Sequence, residues 1–299
     1  MTMDSNVFSF QVDDEIVKRQ RKENDNFIIE YSNGSSDVNT AELKLCVLYF
    51  SSNDIYYPNN ENAFRFSILE KDHYEWCNCK IKTAQKHIFL RDVNKQWYLS
   101  GINDNISTPD KLLAFLKNET NGYDIITVGS SAGGYAAILY GILLKAYRVF
   151  AFNAQLEINS LLDTEERTNP LVIRLQSSEL RKLYDLTSLI KGSKDITINY
   201  FISINSPWDK KQLANIQKNG AADFMNIIRF ESSHHGIPFP KMALDEVLNS
   251  TQIDLDNDGQ RLNSPIRYSI SKIGLLKTVS GIMFQSYRTI RKIIKRKLA

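Results

Sequence analysis

The chain has 299 residues, 42% of them hydrophobic and 24% charged, with a formal net charge of +3. That balance is ordinary for a soluble globular protein with a sizeable core, and it argues against a disordered chain. The length exceeds the 100–200 residues usual for one domain, yet a single α/β domain with an added tail still accommodates it.

Cys46, Cys77 and Cys79 are too few for a disulfide framework, and Cys77-x-Cys79 lacks the second cysteine pair of a zinc site. All three are therefore expected as reduced thiols, with no metal and no cofactor. The start of the chain lacks a basic stretch followed by an apolar one, so no secretory signal is read there. The longest apolar run, near Ala136 to Leu144, falls short of the ~20 residues that cross a bilayer. The expectation is a cytoplasmic protein.

Taken in chain order, the first elements are period-two segments at Val7–Val12 and Phe27–Tyr31, which read as antiparallel strands at a sheet edge. Short apolar runs come next at Leu45–Phe50, Phe64–Leu69, His87–Leu90, Ile125–Val128, Val149–Phe152, Ile196–Ile204 and Ile227–Phe230. Several are apolar throughout, as strands buried on both faces of a parallel sheet should be. Between them, Pro109–Leu116 behind the N-cap Thr108, Gly133–Lys145, Lys210–Lys218 and Lys241–Leu248 read as helices.

This alternation predicts an α/β fold: a mostly parallel sheet with helices on both faces, N-terminal antiparallel edge strands and a basic C-terminal helix. Residues 1–40 are assigned to the edge strands, 41–250 to the core and 251–299 to the tail. The span 157–192 is too long for a simple crossover and reads as a helical insertion placed like a lid.

The turn between Asp124–Val128 and the helix from Gly133 is Gly129-Ser130-Ser131-Ala132-Gly133. A nucleophile in so sharp a strand-to-helix turn is strained, and side chains two residues to either side would clash. Glycine at both places relieves the clash, and only Ser131 is flanked symmetrically by Gly129 and Gly133. The helix N-terminus then lies beside a developing oxyanion, with Ala132 N–H as a donor. A phosphate loop would need Gly-Lys-Ser/Thr, which is absent.

In sheets with such an elbow the acid and then the histidine come on later strands. Of the four histidines, His73 and His87 precede Ser131. His234 and His235 lie just after Ile227–Phe230, where a general base should stand. His235 is favoured because Gly236 lets its loop turn the ring inward, with His234 as the alternative. Asp209 is the carboxylate close behind Ile196–Ile204; it orients the imidazole or else caps the helix from Lys210. Asp185 and Glu231 are the fallbacks. A second oxyanion donor is sought in Ser51 or Ser52, behind Leu45–Phe50.

The run Val128–Ala137, with Asp209 and His234-His235-Gly236 downstream, resembles the α/β-hydrolase superfamily over roughly Leu45 to Leu248. More loosely, its Gly-Gly-Tyr-Ala-Ala stretch is similar to hydrolase and acyltransferase-like proteins of bacterial surface-polysaccharide and glycan-modification systems. The resemblance implies an enzyme that makes or cleaves an ester on a small-molecule or glycan substrate.

Asp254-Leu-Asp256-Asn-Asp258-Gly259 matches half of a calcium loop, but Pro265 stands where the bidentate glutamate is needed, so a solvated turn is expected. Trp97, Tyr98 and Trp208 lie near strand ends, where aromatics stack on sugars or pack the core.

Ten of the chain's 37 basic residues and none of its 34 acidic ones fall from Arg261 onward, so the rest carries 27 against 34. Within this tail Ile273, Leu275, Leu276, Val279, Ile282, Met283, Tyr287, Ile290, Ile293 and Ile294 recur near helical spacing among the lysines and arginines. A basic amphipathic helix suits an anionic membrane surface, which places the protein peripherally at the inner membrane face. Nucleic acid is not an expected partner, because the body is acidic and no recognition motif occurs.

Overall fold

The computed structural model describes residues 14–32, 44–162 and 179–298, with backbone alone at 161–162 and 288–298. One eight-stranded sheet runs β1 (Phe27–Tyr31), β2 (Leu45–Phe50), β3 (Lys86–Leu90), β4 (Asp124–Ser130), β5 (Arg148–Phe152), β6 (Thr197–Ser203), β7 (Asn226–Phe230) and β8 (Leu262–Asn263) in sequence. The spatial order is β1-β3-β2-β4-β5-β6-β7-β8. Only β1 is antiparallel, pairing Phe27 with Leu90 at the sheet edge, and the other neighbours are parallel.

The apolar runs became central strands because both faces are covered. In β2, Cys46, Leu48 and Phe50 enter one core while Val47 and Tyr49 enter the other. In β5, Val149 and Ala151 divide from Phe150 and Phe152 in the same way. Alternate side chains of a strand point to opposite faces, so each strand feeds two cores.

The first core is closed by α3 (Pro109–Glu119), α4 (Ala132–Leu143) and α6 (Thr187–Lys191). The second is closed by Tyr74–Ala84 together with α8 (Leu244–Leu248), α9 (Gln252–Gly259) and α10 (Pro265–Ile273). The remaining helices are α1 (Glu15–Glu23), α2 (Glu61–Phe64), α5 (Asn159–Leu162), α7 (Pro207–Lys218) and α11 (Leu275–Leu298). Strand order and flanking helices make the fold α/β-hydrolase-like. No helix among the described residues is long and apolar enough to cross a membrane.

Three expectations change. Phe64–Leu69 is helical, running from α2 into a π-helical stretch at Arg65–Glu70. Phe64 and Ile68 are buried at i, i+4 spacing while Phe66 and Leu69 are exposed, and a short apolar run cannot by itself distinguish that pattern from a strand. Residues 15–23, assigned to edge strands, form α1, which buries Val17 and carries the ion pair Arg19–Glu23. Val7–Val12 lies outside the described residues.

The half calcium loop is a third change: it lies in α9 instead of a turn. Asp254 N–H donates to Thr251 Oγ1 at the helix start and Leu255 is buried. Asp258 is taken up by Arg261 and Lys272.

The insertion leaves and returns through one clasp. Glu157 bridges Asp185, Ile158 N–H donates to Tyr184 O, and Leu186 N–H donates to Leu156 O. Much of the span read as a lid lies outside the described residues.

Candidate active site

Ligand sites in open α/β sheets form at the carboxyl ends of the strands. Four parallel strands deliver their next residues to one place here. Ser131 comes directly after β4, Asn153 directly after β5, Asp209 stands in the first turn of α7 behind β6, and His235 lies in the loop after β7.

Ser131 has φ +53° and ψ −120°, a conformation that L-residues rarely adopt. The flanking glycines make it possible. A Cβ on Gly129 would come within 2.1 Å of Gly133 O, and one on Gly133 within 2.2 Å of Phe50 O. The turn is held from below by Ser131 N–H donating to Phe152 O at 2.9 Å. Ala132 N–H, at the first position of α4, belongs to the set of donors that a helix start leaves without internal partners.

His235 Nε2 lies 2.8 Å from Ser131 Oγ, and His235 Nδ1 lies 2.9 Å from Asp209 Oδ1. Asp209 is fully buried, and its other oxygen, Oδ2, has no hydrogen-bond partner among the described residues. The cap of α7 is Ser206, whose Oγ accepts from Asp209 N–H, so the aspartate side chain is free to face the imidazole. Of the two adjacent histidines, His235 therefore turns inward. Gly236 comes next with φ +110°, the left-handed freedom that this turn requires.

His234 is exposed at the rim of the same cavity and takes no part in the Ser131–His235–Asp209 line, while its backbone carbonyl accepts from Ser203 Oγ at 2.7 Å. Among the fallbacks, Asp185 is engaged by Thr187 N–H and Glu231 is exposed. His87 sits in β3 against Tyr49 OH and Ser32 Oγ, its ring pKa lowered by burial.

The expected second oxyanion donor needs correction. Ser51 N–H donates to Leu90 O at 3.0 Å, and Ser52 N–H to Glu75 Oε2 at 2.6 Å. Both groups are thus spent, Ser51 on extending the β2–β3 pairing and Ser52 on a carboxylate. Ser52 Oγ also donates to Glu75 Oε1, at 2.8 Å. Burial pushes the Glu75 carboxyl above its usual range, and the two Ser52 bonds oppose that rise.

Ser52, Glu75, Trp76, Ser131, His235 and Lys241 line a cavity of about 130 Å³. A wider cleft of about 520 Å³ along α1, by Arg19 and Arg65, contains none of these residues.

Asn153 was not among the residues picked out by motif or chain order. It is fully buried with φ +43°. Its Nδ2 donates to Ser203 Oγ (2.9 Å), His234 O (3.2 Å) and Gly236 O (2.8 Å), while its Oδ1 accepts from Ser203 N–H at 2.8 Å. One amide thus ties the ends of β5 and β6 to the peptide units on either side of His235. The available signal was its place directly behind an apolar strand, the position that Ser131 holds behind β4.

Trp208 is 61% exposed and meets the His235 ring edge-on at 5.8 Å, whereas Trp97 and Tyr98 are core residues. The cysteines are free thiols, and burial raises Cys46 to about 12. No group of three or more potential metal ligands occurs among the described residues.

No family model and no curated protein matches the chain. Solved structures similar to it include the capsule O-acetyltransferase of Neisseria meningitidis serogroup A, at 14% identity and TM-score 0.45, covering 69% of this chain and 82% of that one. The fluorophosphonate-binding serine hydrolase F of Staphylococcus aureus is similar at 15% identity and TM-score 0.41, covering 67% and 88%. Esterase B of Lactobacillus rhamnosis is similar at 12% identity and TM-score 0.41, covering 71% and 78%.

Proposed function

We propose that the chain is a serine esterase-type enzyme that works through an acyl-enzyme on Ser131. The observation that carries this reading is the continuous hydrogen-bonded line Ser131 Oγ–His235 Nε2, His235 Nδ1–Asp209 Oδ1, at 2.8 and 2.9 Å. These distances lie within the reach that proton transfer to a general base requires.

In the first half-reaction Ser131 Oγ attacks an ester carbonyl while His235 Nε2 takes the hydroxyl proton. Asp209 fixes the ring orientation and stabilises the imidazolium, and Ala132 N–H faces the oxyanion. The tetrahedral intermediate collapses by breaking the bond to the alcohol, which leaves with the proton held by His235. In the second half-reaction a water or a sugar hydroxyl attacks the acyl-enzyme under the same base and releases Ser131. Water makes the protein an esterase and a sugar hydroxyl makes it an O-acyltransferase, since both share the acyl-enzyme.

The cavity beside Ser131, about 130 Å³, is small against the ~300–1,000 Å³ of sites for drug-sized ligands, which favours a short acyl group such as acetyl. The exposed face of Trp208, next to His235, offers a stacking platform for a sugar ring at the alcohol side.

The reading is tested with a fluorescent fluorophosphonate on the wild type and on Ser131→Ala and His235→Ala. The expected outcome is labelling of the wild type, none of Ser131→Ala and strongly slowed labelling of His235→Ala. A folded wild type that does not label would overturn the enzyme reading in favour of a non-enzymatic hydrolase-fold subunit of a glycan assembly. Acetylated oligosaccharides, assayed for released acetate and for acetate moved to a second sugar, then separate esterase from transferase.

A further inference from the structure

Helix α11 leaves most of its apolar side chains on the face turned away from the body. Ordinarily the apolar stripe of a surface helix faces the core and the polar side faces water. Here the residues turned toward the body are Thr278, Gly281 and the half-buried Ile282, so only a small part of the helix's apolar content is used on that side. Thr278 is fully buried, and a Cβ on Gly281 would meet Met242 Cε at 2.5 Å. These contacts seat the helix against α10 and the turn Lys241–Ala243.

Roughly opposite them on a 3.6-residue wheel lie Leu276, Val279, Met283 and Tyr287, exposed by 86%, 46%, 67% and 61%. Their spacing of three, four and four residues makes one continuous apolar strip. Ile290 and Ile294 extend the same spacing in the sequence.

Charge identifies the occupant of that strip. From Leu275 onward the chain carries Lys277, Arg288, Arg291, Lys292, Lys295, Arg296 and Lys297 and no acidic residue. A second copy of the same helix would bring two such sets of cations together, which opposes pairing through the strip. A nucleic acid would use the cations and leave the apolar strip in water. An anionic lipid surface takes both, the strip at the acyl boundary and the cations among the headgroups.

We propose that α11 is an interfacial helix that docks the protein on an anionic phospholipid surface, lying in the plane of the membrane along a length of about 36 Å. Its seat is close to the candidate active site, since Lys241 and Leu244, on either side of Met242, line the cavity that holds Ser131. The docking inference is independent of whether Ser131 is catalytic.

Flotation of the full chain with vesicles of phosphatidylcholine alone, or of phosphatidylcholine with one-third phosphatidylglycerol, tests it. The expected result is flotation with the anionic vesicles only, reversed by high salt. Leu276→Ser combined with Met283→Ser should abolish flotation while the circular dichroism melt stays that of the wild type. Lys292→Gln combined with Lys295→Gln should weaken partitioning by about 25-fold, since each cation near an anionic surface contributes about a fivefold factor.

Absence of flotation with the anionic vesicles, or equal flotation with neutral ones, would overturn the proposal. A concentration-dependent dimer in sedimentation velocity that Leu276→Ser with Met283→Ser dissolves would overturn it too, assigning the strip to a second copy.

Discussion

Replacing Gly133 with alanine sets two effects of opposite sign against each other within the elbow. As an early residue of α4, alanine gains helix propensity over glycine, worth about 1 kcal/mol. Its methyl, however, would stand 2.2 Å from Phe50 O and 2.9 Å from both Phe50 C and Ser51 O. Ordinary Cβ contacts begin near 3.4 Å, so helix and strand must part by roughly 1 Å. Neither side yields easily, because the obstructing atoms are backbone at the end of a central strand and α4 is buried along most of its length.

Overpacking of this kind costs about 3 kcal/mol at the upper end of its usual range. The clash therefore wins, leaving a net loss of about 2 kcal/mol, or a fall of about 3 °C in melting temperature for a protein of this size. A shift of ~1 Å at the nucleophile should also slow fluorophosphonate labelling on the order of a hundredfold.

Differential scanning calorimetry and labelling rates on Gly133→Ala measure both effects. Gly192→Ala, whose methyl would lie an ordinary 3.4 Å from Leu189 O, serves as the control and should melt with the wild type. A Gly133→Ala protein that melts at or above the wild-type temperature and labels at the wild-type rate would refute the close approach of α4 to β2.

Asp209→Asn should keep the fold and lower the labelling or turnover rate on the order of 10⁴-fold, as loss of the orienting carboxylate does in serine triads; a loss below tenfold in steady-state kinetics would remove Asp209 from the proton path. His234→Ala removes a cavity-rim side chain outside the Ser131–His235–Asp209 line and keeps the carbonyl that Ser203 holds, so its labelling rate should fall far less than that of His235→Ala. Asn153→Ala leaves Ser203 N–H without its acceptor and Gly236 O without its donor, and should destabilise the protein by about 3 kcal/mol while slowing labelling, read in the same two assays.

Lys95 is buried, its Nζ donating to Tyr56 O at 2.7 Å, and burial lowers its pKa to about 7 against the pull of Asp54 and Asp92. Between that value and the ordinary lysine range near 10.4 the unfolded chain binds the extra proton, so stability rises with pH across this window and falls as pH drops toward 7. Urea unfolding at several pH values should therefore show the wild type gaining on Lys95→Met by up to roughly 1.4 kcal/mol per pH unit. A pH-independent difference would contradict the burial of an uncharged lysine.

How much of this was legible in the sequence depends on the range of the interactions involved. The strand, elbow and helix at 124–143 declared themselves because the strain at Ser131 is local and its remedy, Gly129 and Gly133, is local too. Asp209 and His235 could be placed by chain order, since parallel strands all release the chain at the same edge of the sheet.

The segment Phe64–Leu69 was misread because six residues, four of them apolar, fit either period. Helix α1 was missed because its apolar content is low and its support comes from charge pairs and from partners elsewhere in the chain. The status of Ser51 and Ser52 was beyond reach: whether a backbone N–H is free depends on Leu90 and Glu75, 39 and 23 residues away in sequence, so spacing alone could not decide it. The amide network of Asn153 is hidden for the same reason.

Ser131 and His235 are 104 residues apart in sequence, yet both hang from the same short stretch of chain. Ser131 N–H is held by Phe152 O, and the peptides flanking His235 are held by the side chain of Asn153. The spacing of Ser131 and His235 is thus tied to two adjacent residues, Phe152 and Asn153. The insertion that begins just beyond leaves and returns through the clasp at Glu157 and Asp185. Lengthening such a clasped loop costs little, about 0.6 kcal/mol per doubling. The length of the chain between Glu157 and Asp185 can therefore change without moving Phe152 and Asn153, the two residues that hold Ser131 and the His235 loop.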